Sequence, residues 1–456
     1  MSIKPKLGLF DLTMIVVSLV IGIGIFRSPA LVAQKAGSPL IFFTAWILGG
    51  VISICGALTF AEIGSRYPAA GGFYKIFSYC YHPVYAFMLN WSLVIINAAS
   101  NVAVAIVGAE YINPIIMPDS LQNEWGVKLT ALVAILILYV LNLLGIKMGA
   151  RTQNVLSMVK IGMILIFCCA IFGPHSPQSI LTTVDSHSNS IGAIGAFFQA
   201  LGVSLIAVFF TYGGYQSTIN FGADIREPSR NIPRGIFFGM GIVIGMYLII
   251  NVAYCQVLGF PAVQHSKLLA SDLAGAFFGP RGYTLASLAI FISVLGFMNT
   301  SLISNPRVYY AMAEEKILPA IFKRINERTM VQEFGLSFFV ALMLISLFLL
   351  GTFEKIINYV MFIDCLSMVS AAGTIFIFRR RAKNNQATSD GGLNTNADAA
   401  VYKVRFYPWV PLLFMLVLFI VMVNVLITDP VSAAYGFAIF LAGCPLYFLL
   451  KKMIAE

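Results

Sequence analysis

The chain has 456 residues, 59% of them hydrophobic and only 11% charged, with a formal net charge of +10 and a mean hydropathy of +0.87. Soluble domains carry roughly 25% charged residues, so a water-soluble globular protein is excluded and an all-α polytopic membrane protein is expected. The positive balance could suggest a nucleic-acid partner, but it collects on one side of the predicted membrane and is explained by that placement alone.

Crossing about 30 Å of hydrocarbon takes about 20 apolar residues. Twelve runs qualify, near 8–33, 39–61, 83–112, 128–147, 151–173, 191–222, 235–258, 283–312, 333–352, 354–378, 406–427 and 432–450. They are long and continuously apolar, which points to helices and away from the alternating strands of a membrane barrel.

Lys4 and Lys6 precede the first run, which is too long for a secretory leader and has no small-residue cleavage site, so it is expected to be retained. Its centre reads Val20-Ile21-Gly22-Ile23-Gly24-Ile25-Phe26. The fifth run carries Lys160 in its middle, and the sixth contains a second glycine interruption, Phe209-Phe210-Thr211-Tyr212-Gly213-Gly214-Tyr215. Between the eighth and ninth runs, Ile317, Leu318, Ile321, Phe322 and Ile325 share one face of a charged stretch and predict a short interfacial helix. Asp364 lies near the middle of the tenth run. Residues 379–405 are polar and unpatterned, and predict a flexible linker before the last two spans.

An even number of spans puts both termini on one side, and Lys and Arg identify that side as cytoplasmic: it would hold 22 of the 29, against six outside and Lys160 within a span. Six of the seven cysteines fall inside spans and Cys80 in a cytoplasmic loop, so no disulfide framework is expected. The four histidines, His82, His175, His187 and His265, fall in loops without metal-ligand spacing, and no cofactor or metal is implied.

Two interrupted helices call for an explanation. Glycine costs a helix interior about 1 kcal/mol relative to alanine, and a broken backbone in lipid leaves polar groups unpaired at several kcal/mol each. Such breaks persist where a ligand uses the freed groups, and an amino acid suits them: half-helix N–H groups can hold its carboxylate and bare carbonyls its ammonium. The alternative is that the glycines only allow close helix packing, although their spacing lines no single face. The first and sixth runs each open a set of five. Five being odd, the second set must run inverted, and matching breaks in inverted halves point to a transporter's substrate site. The expected organisation is a first repeat over 1–173, broken at 22–24, a second over 191–378, broken at 211–214, a linker over 379–405, and two trailing helices over 406–456.

The residues that carry these features resemble the amino acid–polyamine–organocation superfamily and, within it, the L-amino acid transporter family of bacterial type. The matching pieces are VIGIGIFRSP, Ala61-Glu62-Ile63-Gly64 followed by Tyr67-Pro68-Ala69-Ala70-Gly71-Gly72-Phe73-Tyr74, FFTYGGY followed by Glu227-Pro228-Ser229-Arg230-Asn231-Ile232-Pro233-Arg234, and Asn305-Pro306-Arg307-Val308-Tyr309-Tyr310-Ala311-Met312-Ala313. The resemblance implies a LeuT-type fold of two inverted five-helix repeats working by alternating access. It puts the substrate carboxylate at the amides of Gly22, Ile23 and Gly24, and the ammonium at carbonyls near Val20, Phe210 and Gly213, with Thr211, Tyr212 and Gly214 completing the second break. It makes Phe210 the aromatic lid, Gln216 a contact to the substrate side chain, and Lys160 a built-in cation where relatives bind Na⁺.

Two departures stand out. Ile23 occupies a position where the family commonly has Ser or Ala. Arg27 lies on the outer half of the first span, where it would snorkel to the interface or touch an anionic substrate. Asp364 is expected to relay a proton, favour a cationic side chain or serve as a structural partner. Residues 113–127 lack the cysteine with which animal members bond a heavy subunit, so no such partner is expected. The reading that results is a Na⁺-independent exchanger or proton-coupled carrier of neutral L-amino acids in the inner membrane, not an enzyme. A carrier of polyamines or other organic cations, a channel and a membrane-embedded enzyme are the alternatives.

Overall fold

The computed structural model describes residues 8–66, 72–145, 162–163, 166, 191–216, 226–314, 317–349, 353–388 and 401–455. Its elements are helical: α1 (Leu9–Val20), α2 (Gly24–Ala36), α3 (Pro39–Arg66), α4 (Gly72–Cys80), α5 (Pro83–Ile116), α6 (Glu124–Leu143), α7 (Ile191–Tyr212), α8 (Pro228–Val257), α9 (Phe260–His265), α10 (Leu269–Glu314), α11 (Glu333–Leu349), α12 (Phe353–Thr388), α13 (Trp409–Thr428) and α14 (Pro430–Ala455). Among the described residues nine helices are long and apolar enough to cross a membrane, and α11 is a shorter apolar helix. The chain is a multi-pass, all-helical membrane protein. The predicted fifth span, with Lys160, lies outside the described residues apart from three positions.

The helices form two groups. In one, α1 packs along α8, α2 along α7, and α3 against both α7 and α8; in the other, α5 is surrounded by α6, α10 and α11, with α12 and α14 on its flank. Glycines let the first group close up: a Cβ at Gly49 would fall 2.4 Å from Val208, and one at Gly50 2.9 Å from Ile244. The second group is joined by amides, with Asn142 Nδ2 donating to Asn299 Oδ1 at 2.8 Å and Asn97 Nδ2 to Asn305 Oδ1 at 3.1 Å. Lipid offers no hydrophobic drive for helix association, so small-residue contacts and interhelical hydrogen bonds of this kind specify the packing.

Three boundaries differ from the sequence expectation. The outer segment near 259–282 is not a plain loop: it contains α9, and α10 begins at Leu269, with a non-helical Gly279 at φ 70° allowing a sharp bend. The expected interfacial helix after α10 is reduced to one 3₁₀ turn at Ala320–Lys323, since Pro319 and the polar residues beyond it stop propagation. The linker is shorter than its composition suggests, because α12 runs on to Thr388 and the chain is docked again from residue 401.

That docking centres on Glu62, which is fully buried at the end of α3. Its carboxylate accepts from Arg66 Nε at 2.7 Å, from Arg379 Nε at 2.8 Å and Nη2 at 2.6 Å, and from the Val404 N–H at 2.7 Å. The Arg379 guanidinium in turn covers the Tyr407 ring at 3.7 Å. One carboxylate therefore ties α3, α12 and the end of the linker together. Removing one partner of a buried ion pair costs about 3–5 kcal/mol. Glu62→Ala is expected to destabilise the protein on that scale, and Arg66→Ala much less because Arg379 remains, as thermal unfolding of the two variants in one detergent would show.

Candidate substrate site

The first span is interrupted where its sequence suggests. Helix α1 ends at Val20, Ile21 is extended (φ −67°, ψ 95°), and α2 starts at Gly24. The sixth span breaks after Tyr212, where the Gly213 N–H turns back to the Phe210 carbonyl at 3.3 Å. Gly214 has φ 117°, in the left-handed region that a side chain resists. Gln216 Oε1 accepts from the Gly214 N–H at 2.8 Å, beside the break.

The two breaks lie against each other. A Cβ on Gly24 would come within 2.9 Å of Thr211 Oγ1 and 3.0 Å of Thr211 Cα, whereas one on Gly22 would meet only Val20 O at 3.8 Å and Gly24 N at 4.0 Å. The glycines therefore differ in purpose. Gly24 serves close packing, the reading that the spacing argument had set aside, and it packs one break directly onto the other. Gly22 leaves backbone open. Ile23, the N-cap of α2, makes no side-chain cap, so the first N–H groups of α2 keep their capacity for an anion at the positive end of the helix.

The freed carbonyls have donors that the sequence did not announce. Tyr247 of α8 donates to Val20 O at 3.0 Å and lies 3.4 Å from Thr211 O. Tyr254, two turns further along α8, reaches Ile25 O at 3.4 Å. The helical partner of Ile25 would be residue 29, which is proline and has no N–H. Tyr111 of α5 adds a bond to Phe26 O, inside α2, at 2.8 Å, and Thr211 Oγ1 makes the ordinary bond to the carbonyl one turn back, Ala207 O, at 2.7 Å. These tyrosines were legible only as apolar-run aromatics. The usable signal is that a phenol inside a membrane helix needs an acceptor.

Of the remaining predicted residues, Phe210 is half-buried and meets Phe353, at the start of α12, edge-to-face at 6.0 Å. The Tyr212 ring points into the first helix group, where its hydroxyl donates to Trp46 O at 3.2 Å. Asp364 lines a cavity shared with Phe209, Gly213, Gln216, Met361 and Cys365, which brings a carboxylate beside the second break. Lys160 lies outside the described residues. The Arg27 guanidinium donates to Lys267 O at 2.9 Å and sits 3.7 Å from the Glu110 carboxylate, joining α2 to α5 and to the segment after α9.

The profile of the family described as Amino acid permease matches residues 7–450 of the chain. The serine/threonine exchanger SteT of Bacillus subtilis is 30% identical, covering 100% of this chain and 99% of that protein. The human large neutral amino acids transporter small subunit 2 is 28% identical over 98% of this chain and 81% of its own length. The human cystine/glutamate transporter is 27% identical over 98% and 85%.

The unequal surroundings of the two glycines predict unequal stability effects. Gly24→Ala forces Thr211 aside and should cost about 1–3 kcal/mol, the usual range for overpacking. Gly22→Ala makes only ordinary van der Waals contacts, at 3.8 and 4.0 Å, and should melt within a degree or two of the parent. Paired thermal melts in detergent decide this.

Proposed function

The chain belongs to the amino acid permease family, and from that premise we propose that it is a Na⁺-independent carrier of neutral L-amino acids, working by exchange or proton coupling. Its family and relatives are transporters, not enzymes, and its activity is amino acid transport. The observation that supports the finer reading best is the direct contact of the two backbone breaks, Gly24 against Thr211, with uncapped amides on one side and carbonyls on the other. Such a pair brings amide donors and carbonyl acceptors together, the two kinds of group that any zwitterion needs whatever its side chain. The names of two relatives, a serine/threonine exchanger and a large neutral amino acids transporter, favour neutral substrates and exchange.

In this reading the carboxylate sits at the amides of Gly22, Ile23 and Gly24, the ammonium meets carbonyls near Val20, Phe210 and Gly213, and Phe210 with Phe353 forms the lid. The two groups of helices, one holding both breaks and the other built on α5, rock against each other in a LeuT-type arrangement of inverted repeats with twelve spans and both termini cytoplasmic, in the cell membrane. Lys160 takes the place of a sodium ion, which makes transport independent of Na⁺. Asp364, beside Gly213 in the cavity, is the group that a coupled proton would use. The lack of a cysteine over 113–127 leaves no point of attachment for a disulfide-linked heavy subunit.

Counterflow into proteoliposomes loaded with individual amino acids, without Na⁺, tests the proposal. Neutral amino acids inside should drive uptake of a labelled neutral one, and Gly22→Val, which fills the anion cradle, should lower uptake at least tenfold without loss of folded protein. Silence with every amino acid tested, or steep dependence on Na⁺, would overturn it. Asp364→Asn should leave exchange intact and remove uptake driven by an inward proton gradient if the carrier is proton-coupled; a pure exchanger shows no gradient-driven uptake in either form.

A further inference from the structure

The donors on the Glu62 carboxylate come from three parts of the molecule. Arg66 lies one turn along the same helix, Arg379 belongs to α12, and the Val404 N–H to the segment that follows the linker. Val404 also turns its carbonyl to Arg379 Nη2 at 3.5 Å, and Ser65 Oγ lies 3.5 Å from the Tyr402 carbonyl. Residues 402–407 thus form a strap across the ion pair, closed at its far end by the Tyr407 ring, which covers the guanidinium and meets Phe376 at 5.5 Å. Helix α12 is itself fastened to the other helix group. Tyr81 bonds the Ser370 carbonyl and Tyr85 of α5 the Ser370 hydroxyl. Arg381 Nη1 donates to the Tyr79 carbonyl of α4 at 2.8 Å, and α4 packs on α5. Two arginines two residues apart therefore reach different groups: Arg379 reaches α3, beside both breaks, and Arg381 reaches α4.

We propose that the pair of Glu62 with Arg379 is a clasp between the two helix groups at the end where the linker attaches, with residues 402–407 as its strap, and that it opens each time the groups rock to expose the site to that side. The inference rests on the transport reading above. The feature that separates a clasp from a fixed brace is Arg66. A buried carboxylate that lost its one cation would be left uncompensated, which forbids opening. Here α3 carries its own counterion one turn on, so α12 can withdraw Arg379 while Glu62 stays paired. The side chain of Arg379 is 22% exposed against 0% for Glu62, so the guanidinium turns to water once the strap lifts. Because Val404 bonds both members of the pair, the strap and the clasp release together.

Two measurements test the clasp. In the double variant Ser65→Cys with Tyr402→Cys, a short bis-methanethiosulfonate ties the strap to α3. Counterflow should then fall roughly tenfold or more, because the state that opens to this side is depopulated, and should return when a reductant cuts the bridge; each single variant given the same reagent is the control. A fixed brace predicts no loss. The second measurement needs no transport: a bulky maleimide labels Ser65→Cys in detergent at a rate set by the strap. Adding Arg379→Gln should speed labelling at least fivefold, and adding Arg379→Lys, which keeps the charge but loses the two-point bond, should speed it less. The lysine variant keeps the test open if the glutamine variant does not fold. Full counterflow in the bridged protein, or labelling that neither Arg379 variant speeds, would overturn the clasp. Silence of the parent protein in counterflow would reject the transport reading, while the labelling rates would still decide whether Arg379 holds the strap.

Discussion

Inside a bilayer, an amide or carbonyl without a partner costs several kcal/mol, and the organisation of this protein follows from that penalty. Two helices are broken at mid-span, and several features around the breaks answer for the exposed backbone. Gln216 folds back on Gly214, and the tyrosine hydroxyls of α8 take the carbonyls of Val20 and Ile25. What remains uncapped, chiefly the start of α2, is what a charged small molecule can use.

The same logic divides labour between the helix groups. The α5 group is sewn by amide pairs, Asn142 with Asn299 and Asn97 with Asn305, which join α6 and α5 to α10. In the α8 group, tyrosines bond to backbone instead of to side chains. A long rigid phenol suits that task because it reaches across a helix diameter at little entropic cost. Even the charged residues take part: Glu62 at one end and Arg27 at the other bond chiefly to other protein groups, and each joins elements far apart in sequence.

Much of the architecture was readable in the chain. Apolar run lengths located nine spans among the described residues, and the two glycine interruptions fell within a residue or two of the observed breaks, although the pair Gly49-Gly50 sits in the unbroken helix α3 and serves packing. What escaped the sequence depended on partners from other helices. Gly24 looked like a binding glycine, and only its distance from Thr211 marks it as a packing glycine too. The partners of Arg27, Glu110 and the 266–267 carbonyls, come from elements distant in sequence. Tyr247, Tyr254 and Tyr111 were indistinguishable from ordinary lipid- or core-facing aromatics because helical periodicity says which face a residue occupies but not which carbonyl lies opposite. The linker was misjudged at both ends for a similar reason: its polarity suggested solvent, while Arg379 and Val404 found a buried carboxylate on α3.

The bond between Tyr247 and Val20 spans 227 residues of sequence, and that separation bears on how the protein is made. The first span leaves the ribosome with its interruption already encoded and with the donor for its freed carbonyl still untranslated, six predicted spans downstream. It cannot be released into lipid as a finished helix at that stage without stranding Val20, and Pro29 leaves Ile25 in the same position until Tyr254 arrives. The nascent first span must therefore be kept hydrated or sheltered by the insertion machinery until α8 is in place. Biogenesis of this carrier is thus a problem of delayed assembly, in which the part that later handles cargo is among the first to be synthesised and waits for its partners until α8 follows.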